Sequence, residues 1–389
     1  MKVLVLNSGS SSLKFQLFEM PQGKVLVKGL AERIGEETGR FKANDYEVIE
    51  KIPTHKEALE LLTAYLLNPA HHIIKDKSEI KIVGHRVVHG GNTFVQPTII
   101  DAAVKSKIKD LFSLAPLHNP ANLTGIETAE EIFPQATQIA VFDTAFHQTI
   151  PQINHQYAIP EKFYKAGIRK YGFHGISHQY VSREANKRLG KTNTKVITLH
   201  LGNGASATAV LNGKSYDTSM GFGPMNGLIM GTRSGDIDQS IIFYLVQKMG
   251  YSLEEVQNIL NKKSGMTALA GSNDLRDVET AAGKGDQKAQ LALEMYAGAI
   301  KKYIGNYTAQ MDGLDALVFT AGIGENSETV RALATKNLTY LGLEIDSEKN
   351  NAPHVFKGDI TGKQSKVKVW VIPTNEELEI AQQAFALIK

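Results

Sequence analysis

Near its start the chain reads VLVLNSGSSSLKF, and in its second half VITLHLGNGASATAV. Both are strand, small-residue loop, strand, roughly 190 residues apart in a chain of 389. The two stretches share an order of elements, not a residue-by-residue repeat. Two such loops in two halves of one chain imply a duplicated unit that grips a nucleotide. A third small-residue turn, ALVFTAGIGENS, again comes directly after a strand. Elsewhere strand-like and helical runs alternate, the pattern of an α/β protein.

Val3–Leu6, Ile80–Val83, Thr137–Phe142, Val196–Leu201, Ala316–Thr320 and Val367–Ile372 read as strands. Gln287–Gln310 reads as a helix, since Leu293, Tyr296, Ile300, Tyr303 and Tyr307 recur at helical spacing. The last helix is expected to start at Thr374, with Glu377 completing a capping box. Its buried face is expected to be Leu378, Ala381, Phe385 and Ile388.

The first loop, Asn7 to Lys14, admits two readings: a hairpin turn of small residues, or a cradle of N–H groups and hydroxyls around a phosphate. Two familiar phosphate signatures do not apply. GKT at Gly190–Thr192 resembles the end of a P-loop, but Ala185 stands where that motif needs glycine. GNGASA from Gly202 fits a dinucleotide pattern that should open a helix, yet strand-like TAVLNG comes next.

His85/His89 and His174/His178 share a spacing that suits zinc on a helix. The first pair lies in β-branched, glycine-bounded sequence, and the second lacks the acid of the zinc-protease pattern, so structural or anion-facing roles are favoured. Arg86 and Arg233 each sit among glycines and small residues, where backbone approaches a ligand closely and a guanidinium fork matches carboxylate or phosphate. Either alone reads equally as a structural ion pair. Together with Lys14 they favour a highly anionic reaction centre. Asp143 ends an apolar strand, where it either faces a ligand crevice or serves as a helix N-cap. Glu376 lies in a first helical turn, where an acid also suits the dipole.

Composition excludes several classes. Hydrophobic residues at 42%, charged residues at 21% and a net charge of +3 without a basic block describe a globular protein with no nucleic-acid patch. No apolar run has the length of a membrane span or a signal peptide, so no membrane role is expected and the cytoplasm is the default compartment. Absence of cysteine removes disulfides, thiolate metal sites and a cysteine nucleophile.

Ten stretches in order resemble the acetate kinase family across essentially the whole chain. They are LNSGSSSLKF, GHRVVHGG, PLHNP, VFDTAFH, YGFHGISH, HLGNGAS, MGTRSGDID, SNDLRDVE, GIGENS and PTNEELEIA. The resemblance implies two duplicated actin-like ATPase (ribonuclease H-like) α/β domains with a nucleotide cleft between them. One would span 1–148 plus 374–389, completed by the C-terminal helix. The other, 149–373, would carry nucleotide binding and dimerisation.

Carried over by position, Asn7 and Glu376 match metal-site residues for Mg²⁺, with Mn²⁺ able to substitute, and Lys14 matches a nucleotide-phosphate position. Arg86 matches the arginine meeting the acyl carboxylate, and Asp143, His174 and Arg233 match the other catalytic positions. Val88, Leu117, Phe173 and Pro224 match the pocket for the acyl methyl. His200, Leu201, Gly202, Asn203 and Gly204 match one ATP-binding segment. Asp274, Leu275 and Arg276 match a second, and Gly322, Ile323, Gly324, Glu325 and Asn326 a third.

The implied reaction is reversible phosphoryl transfer from ATP to acetate, giving acetyl phosphate and ADP, in a homodimer. A propionate or butyrate kinase would share the charged motifs, and an ATP-driven switch of Hsp70 or actin type would share the phosphate loops. The chain departs from the family's usual sequence at Gly223–Gly227, at Gln239 and in GMTALAG, away from the charged residues, which bears on acyl-chain preference.

Overall fold

The computed structural model describes all 389 residues, Met1–Lys389, and resolves into two compact units. Met1–Phe146 with Asn375–Lys389 form the first, His147–Thr374 the second.

The first unit is built on strands β1 (Lys2–Ser8), β2 (Ser12–Glu19), β3 (Lys24–Glu32), β4 (Gly39–Ala43), β5 (Tyr46–Glu50), β6 (Ile80–Val87), β7 (Thr98–Ile99) and β8 (Thr137–Phe142). Their order is β5-β4-β3-β2-β1-β6-β8-β7. The near-continuous apolar run of β1 places it centrally, covered on both faces. It pairs antiparallel with β2 and parallel with β6, and β6 runs parallel to β8. Alternation sends Leu4 and Leu6 to one face, where they meet Phe15, Leu59 and Leu62, the last two from the helix His55–Leu67. Toward the sheet's other end, Phe94 stacks on Phe142 with ring centroids 4.4 Å apart.

The C-terminal helix packs on β1, β6 and β8, and it differs from expectation. It runs Glu376–Ile388 with Asn375 as N-cap, the Asn375 side chain accepting from the Leu378 N–H at 3.0 Å. Thr374 makes no capping box, because its hydroxyl accepts from Ser177 within the second unit. The buried face carries Ile380, Ala381 and Ala384, with Glu377 and Glu379, while Ile388 is exposed. Gly84 on β6 explains the choice: a Cβ there would lie 2.9 Å from Ile380 Cγ2 and 3.6 Å from Ala384. The missing side chain makes the dent into which the helix settles.

The second unit has strands β9 (Lys195–Leu201), β10 (Ala205–Leu211), β11 (Lys214–Thr218), β12 (Ala316–Thr320) and β13 (Lys368–Val371), in the order β11-β10-β9-β12-β13. β9 pairs antiparallel with β10 and parallel with β12, which runs parallel to β13. This is the same order and direction as β3-β2-β1-β6-β8, so the fold is a duplication. The helix Gly175–Leu189 packs on β9 and β12, and Gln287–Gln310 packs on β9 and β10. The segment after β12 forms a short helix, Ala321–Asn326, where a turn was expected, entered through Ala321 at φ +64°. No helix is long and apolar enough to cross a membrane.

Candidate active site

In the first unit, the β1–β2 connection is a tight hairpin that other elements hold in place. Asn7 pairs with Lys14 in register, and the Gly9 N–H donates to the Ser12 carbonyl at 2.8 Å. His55 Nε2 donates to the Gly9 carbonyl at 2.7 Å, and Asn122 Nδ2 to that of Ser8 at 2.7 Å. Asn122 also accepts from the Val88 N–H at 3.1 Å, so one buried carboxamide ties the end of β1 to the end of β6. Asn119 clamps both backbone groups of His89. Neither asparagine was singled out from the sequence. The available signal was NPAN, two amides three residues apart in the first turn of a helix that starts at Asn119.

Parallel pairing brings the ends of β6 and β8 together, and with them Arg86 and Asp143. Arg86 Nε donates to both Asp143 oxygens, at 3.2 and 3.1 Å, and Nη2 donates to Oδ2 at 2.5 Å. Nη1 reaches Asn7 Oδ1 at 3.4 Å. Asp143 is therefore an ion-pair partner and not a helix cap. Burial alone would lower the Arg86 pKa, but Asp143, Glu376 and Glu377 outweigh it and hold it above its usual value. Lys14 Nζ lies 2.6 Å from Glu377 Oε1.

Glu376 has its carboxyl pushed up, first by burial, with Asp143 and Glu377 adding and Arg86 and Lys14 opposing. Glu376 and the Asn7 carboxamide, each a neighbour of Arg86, carry hard oxygen donors of the type a divalent cation takes. Val88 is buried in this unit, whereas Leu117 is 69% exposed.

In the second unit, β9 and β10 carry a second hairpin, closed by the Gly202 N–H donating to the Gly204 carbonyl at 3.1 Å. His174 sits in the left-handed region at φ +58°, immediately before the helix Gly175–Leu189. Its ring stacks on His200 at 4.2 Å, and Nδ1 lies 2.9 Å from Ser206 Oγ. A Cβ placed on Gly204 would be 3.5 Å from His174 Nε2 and 3.6 Å from Arg233 Nη1, so imidazole and guanidinium both border this glycine.

Arg233 donates to the Pro224 carbonyl at 3.0 Å and has no carboxylate partner. Burial pulls its pKa down. Phe173 is buried, its carbonyl accepting from His147 Nε2 at 3.0 Å.

A cavity of about 730 Å³ opens at the second hairpin, within the range typical of ligand sites. Its walls include Gly202, Asn203, Asp274, Leu275, Arg276, Gly322, Ile323 and Asn326, together with Asn273, Glu279 and Ser327, which sequence reasoning did not single out. His200, Leu201, Gly204, Gly324 and Glu325 do not line it. Glu325 instead accepts from the Ala321 and Thr374 N–H groups at 2.9 and 3.2 Å, holding the strained corner before its helix. Asp274 caps the helix Leu275–Gly283 and grips Arg276, whose hydrogen bonds lower the Asp274 pKa to about 2. A Cβ on Gly231 would fall 1.9 Å from Asn203 Oδ1, so a larger residue there would displace the Asn203 side chain.

The sequence profile of the acetokinase family matches residues 2–382. An acetate kinase from Flavobacterium johnsoniae is 54% identical over the full length of both chains. The crystal structure of Porphyromonas gingivalis acetate kinase superposes with a TM-score of 0.92 at 43% identity, covering all of each chain. A propionate kinase structure from Francisella tularensis gives the same TM-score at 45% identity, over 99% of each chain.

Proposed function

This chain belongs to the acetokinase family, and from that premise we propose how its own residues carry ATP-dependent phosphorylation of acetate. An acetate oxygen attacks the γ-phosphorus of ATP, the bond to the β-phosphate oxygen breaks, and acetyl phosphate and ADP result. Acetate is already ionised at neutral pH, so no base is needed to create the nucleophile. The transition state spreads negative charge over the moving phosphoryl group, and the protein's task is positioning and charge stabilisation.

The observation that carries this reading is Arg233, a half-buried guanidinium with no acid to neutralise it, bordering Gly204 with the His174 imidazole. Such a cation is suited to the equatorial oxygens of the phosphoryl group, and His174 to the same charge. Arg86 would receive the acetate carboxylate. The bidentate grip of Asp143 supports a role for that acid in fixing the fork, in preference to proton transfer. For the methyl group the proposed contacts are Val88, Leu117, Phe173 and Pro224. The cavity walled by Asn203, Asp274–Arg276, Gly322, Ile323 and Asn326 suits the nucleoside of ATP.

A divalent metal belongs with a phosphoryl-transfer site. Mg²⁺, with Mn²⁺ as substitute, would be held by Asn7 and Glu376, and it would supply charge neutralisation at the β- and γ-phosphates. Lys14, ion-paired with Glu377, would serve as a phosphate ligand. A homodimer is the proposed assembly, supported by an apolar helix left exposed in the second unit, Ser240–Gln247.

Trapping acyl phosphate as hydroxamate, with ATP, Mg²⁺ and each of acetate, propionate and butyrate, tests the substrate. One methylene in such a pocket is worth about 1–3 kcal/mol, so the preference should be graded, with acetate first and butyrate last. Higher kcat/KM for propionate would transfer the reading to that substrate, the alternative raised by the propionate kinase likeness.

A further inference from the structure

The second unit buries a line of polar side chains that ends on His174. Thr198 on β9, Ser206 on β10 and His178 on the helix Gly175–Leu189 are fully buried. Thr198 Oγ1 lies 2.7 Å from His178 Nδ1, and Ser206 Oγ lies 2.7 Å from His178 Nε2. The same Ser206 oxygen is 2.9 Å from His174 Nδ1.

Proton counting decides the direction of this line. A hydroxyl donates one proton, and a neutral imidazole carries one N–H. His178 is neutral, because burial holds its pKa well below 6.5, with His147 and His200 adding. The Thr198 hydroxyl has a single hydrogen-bond partner, His178 Nδ1. Were the His178 proton on Nδ1, the Thr198 donor would be buried without an acceptor, a condition folded proteins avoid. Thr198 therefore donates to Nδ1, which leaves the His178 N–H on Nε2, donating to Ser206. Ser206 in turn gives its proton to His174 Nδ1. Every proton in the line then has an acceptor, and the N–H of a neutral His174 stands on Nε2. That is the nitrogen bordering Gly204 with Arg233.

We infer that Thr198, His178 and Ser206 are positioning residues whose hydrogen-bond line fixes His174 as the neutral Nε2–H tautomer and aims that N–H at the transferring phosphoryl group. The inference rests on the role given to His174 above. Its first prediction, the tautomer, is readable without activity.

Protein labelled with ¹⁵N-histidine should show, at pH 7.5, the shift pattern of a neutral ring protonated on Nε2 at His174, assigned through His174→Gln. An Nδ1–H pattern or an imidazolium there overturns the inference. Ser206→Ala should average the His174 nitrogen shifts and lower kcat about 10- to 100-fold, a loss typical of a slightly misplaced group, with the KM values for ATP and acetate changing less than about threefold. Ser206→Thr, which keeps the hydroxyl, should restore both readouts. Unchanged kcat in Ser206→Ala overturns the inference. Should that variant not fold, Thr198→Val carries the test: removing the terminal proton should let His178 reverse and move the His174 shifts, and unmoved shifts overturn it. If His174→Gln keeps full kcat, the role of His174 fails and takes the functional half of the inference with it, while the nitrogen shifts still decide the tautomer.

Discussion

Arg86 and Arg233 carry the same guanidinium fork into opposite electrostatic settings. Arg86 is 21% exposed and matched bidentately by Asp143, which is 1% exposed, whereas Arg233 faces no acid. Removing them should therefore differ in kind. Arg86→Ala strands Asp143 and Glu376 as uncompensated carboxylates, and stability should fall by about 2–4 kcal/mol, below the cost of breaking a fully buried pair because Arg86 is partly solvated. Arg233→Ala removes a half-buried cation and leaves no acid behind, so thermal stability should hold while kcat falls on the order of 10³-fold or more. Lys at either position supplies charge without the fork and should not restore kcat. Melting curves and kcat for both variants decide this, and a stable Arg86→Ala beside an unstable Arg233→Ala would reverse the assignment. Both arginines were legible because glycines flank them in the sequence. Asn122 and Ser206 were not, because their roles exist only through partners distant in the chain: Ser8 and Val88 for the first, His174 and His178 for the second.

Elements were legible where their periodicity is their own. Gln287–Gln310 was read from apolar spacing and forms between those residues. The C-terminal helix was read as a helix but with the wrong cap and face, because both are decided by other elements: Ser177 takes the Thr374 hydroxyl, and the dent at Gly84 selects Ile380 and Ala384. The segment after β12 looked like a turn because its glycines weaken helix propensity, which Glu325 offsets by anchoring the Ala321 corner. Ser240–Gln247 poses a different question. SIIFYLVQ has nothing buried, with Phe243 and Tyr244 each 61% exposed and Met249 and Leu253 exposed just beyond. Contiguous apolar surface of that kind marks an association face, and the proposed homodimer gives it a use. Phe243→Glu with Tyr244→Glu should halve the mass measured by light scattering, while leaving the circular dichroism of the folded chain unchanged. A wild-type mass of one chain would refute the dimer.

At the scale of the whole chain, the echo between VLVLNSGSSSLKF and VITLHLGNGASATAV was enough to anticipate two sheets of one design. The strand orders β3-β2-β1-β6-β8 and β11-β10-β9-β12-β13 realise it. What the echo could not convey is how each unit stores histidine. His85 and His89 in the first unit and His147 in the second are buried, and burial lowers each pKa from 6.5 to about 4. His85 Nε2 donates to Gln138 Oε1 at 2.8 Å, which raises its pKa without cancelling the effect of burial. Each folded-state pKa lies below the unfolded value, so the unfolded chain binds more protons between the two. The contribution of each ring is complete above about pH 6.5 and is lost as pH falls toward about 4. Between pH 6.5 and 5 each ring forfeits about 2 kcal/mol, and three together approach the total stability of an ordinary domain. Urea unfolding should therefore show a midpoint that drops steeply below pH 6.5, in a range where the surface carboxylates are still ionised. His85→Gln and His147→Gln should each lower the midpoint at pH 7.5 yet flatten its slope between pH 6.5 and 5, because one proton-binding site disappears from the unfolded chain. A slope unchanged in both variants would mean that acid acts elsewhere.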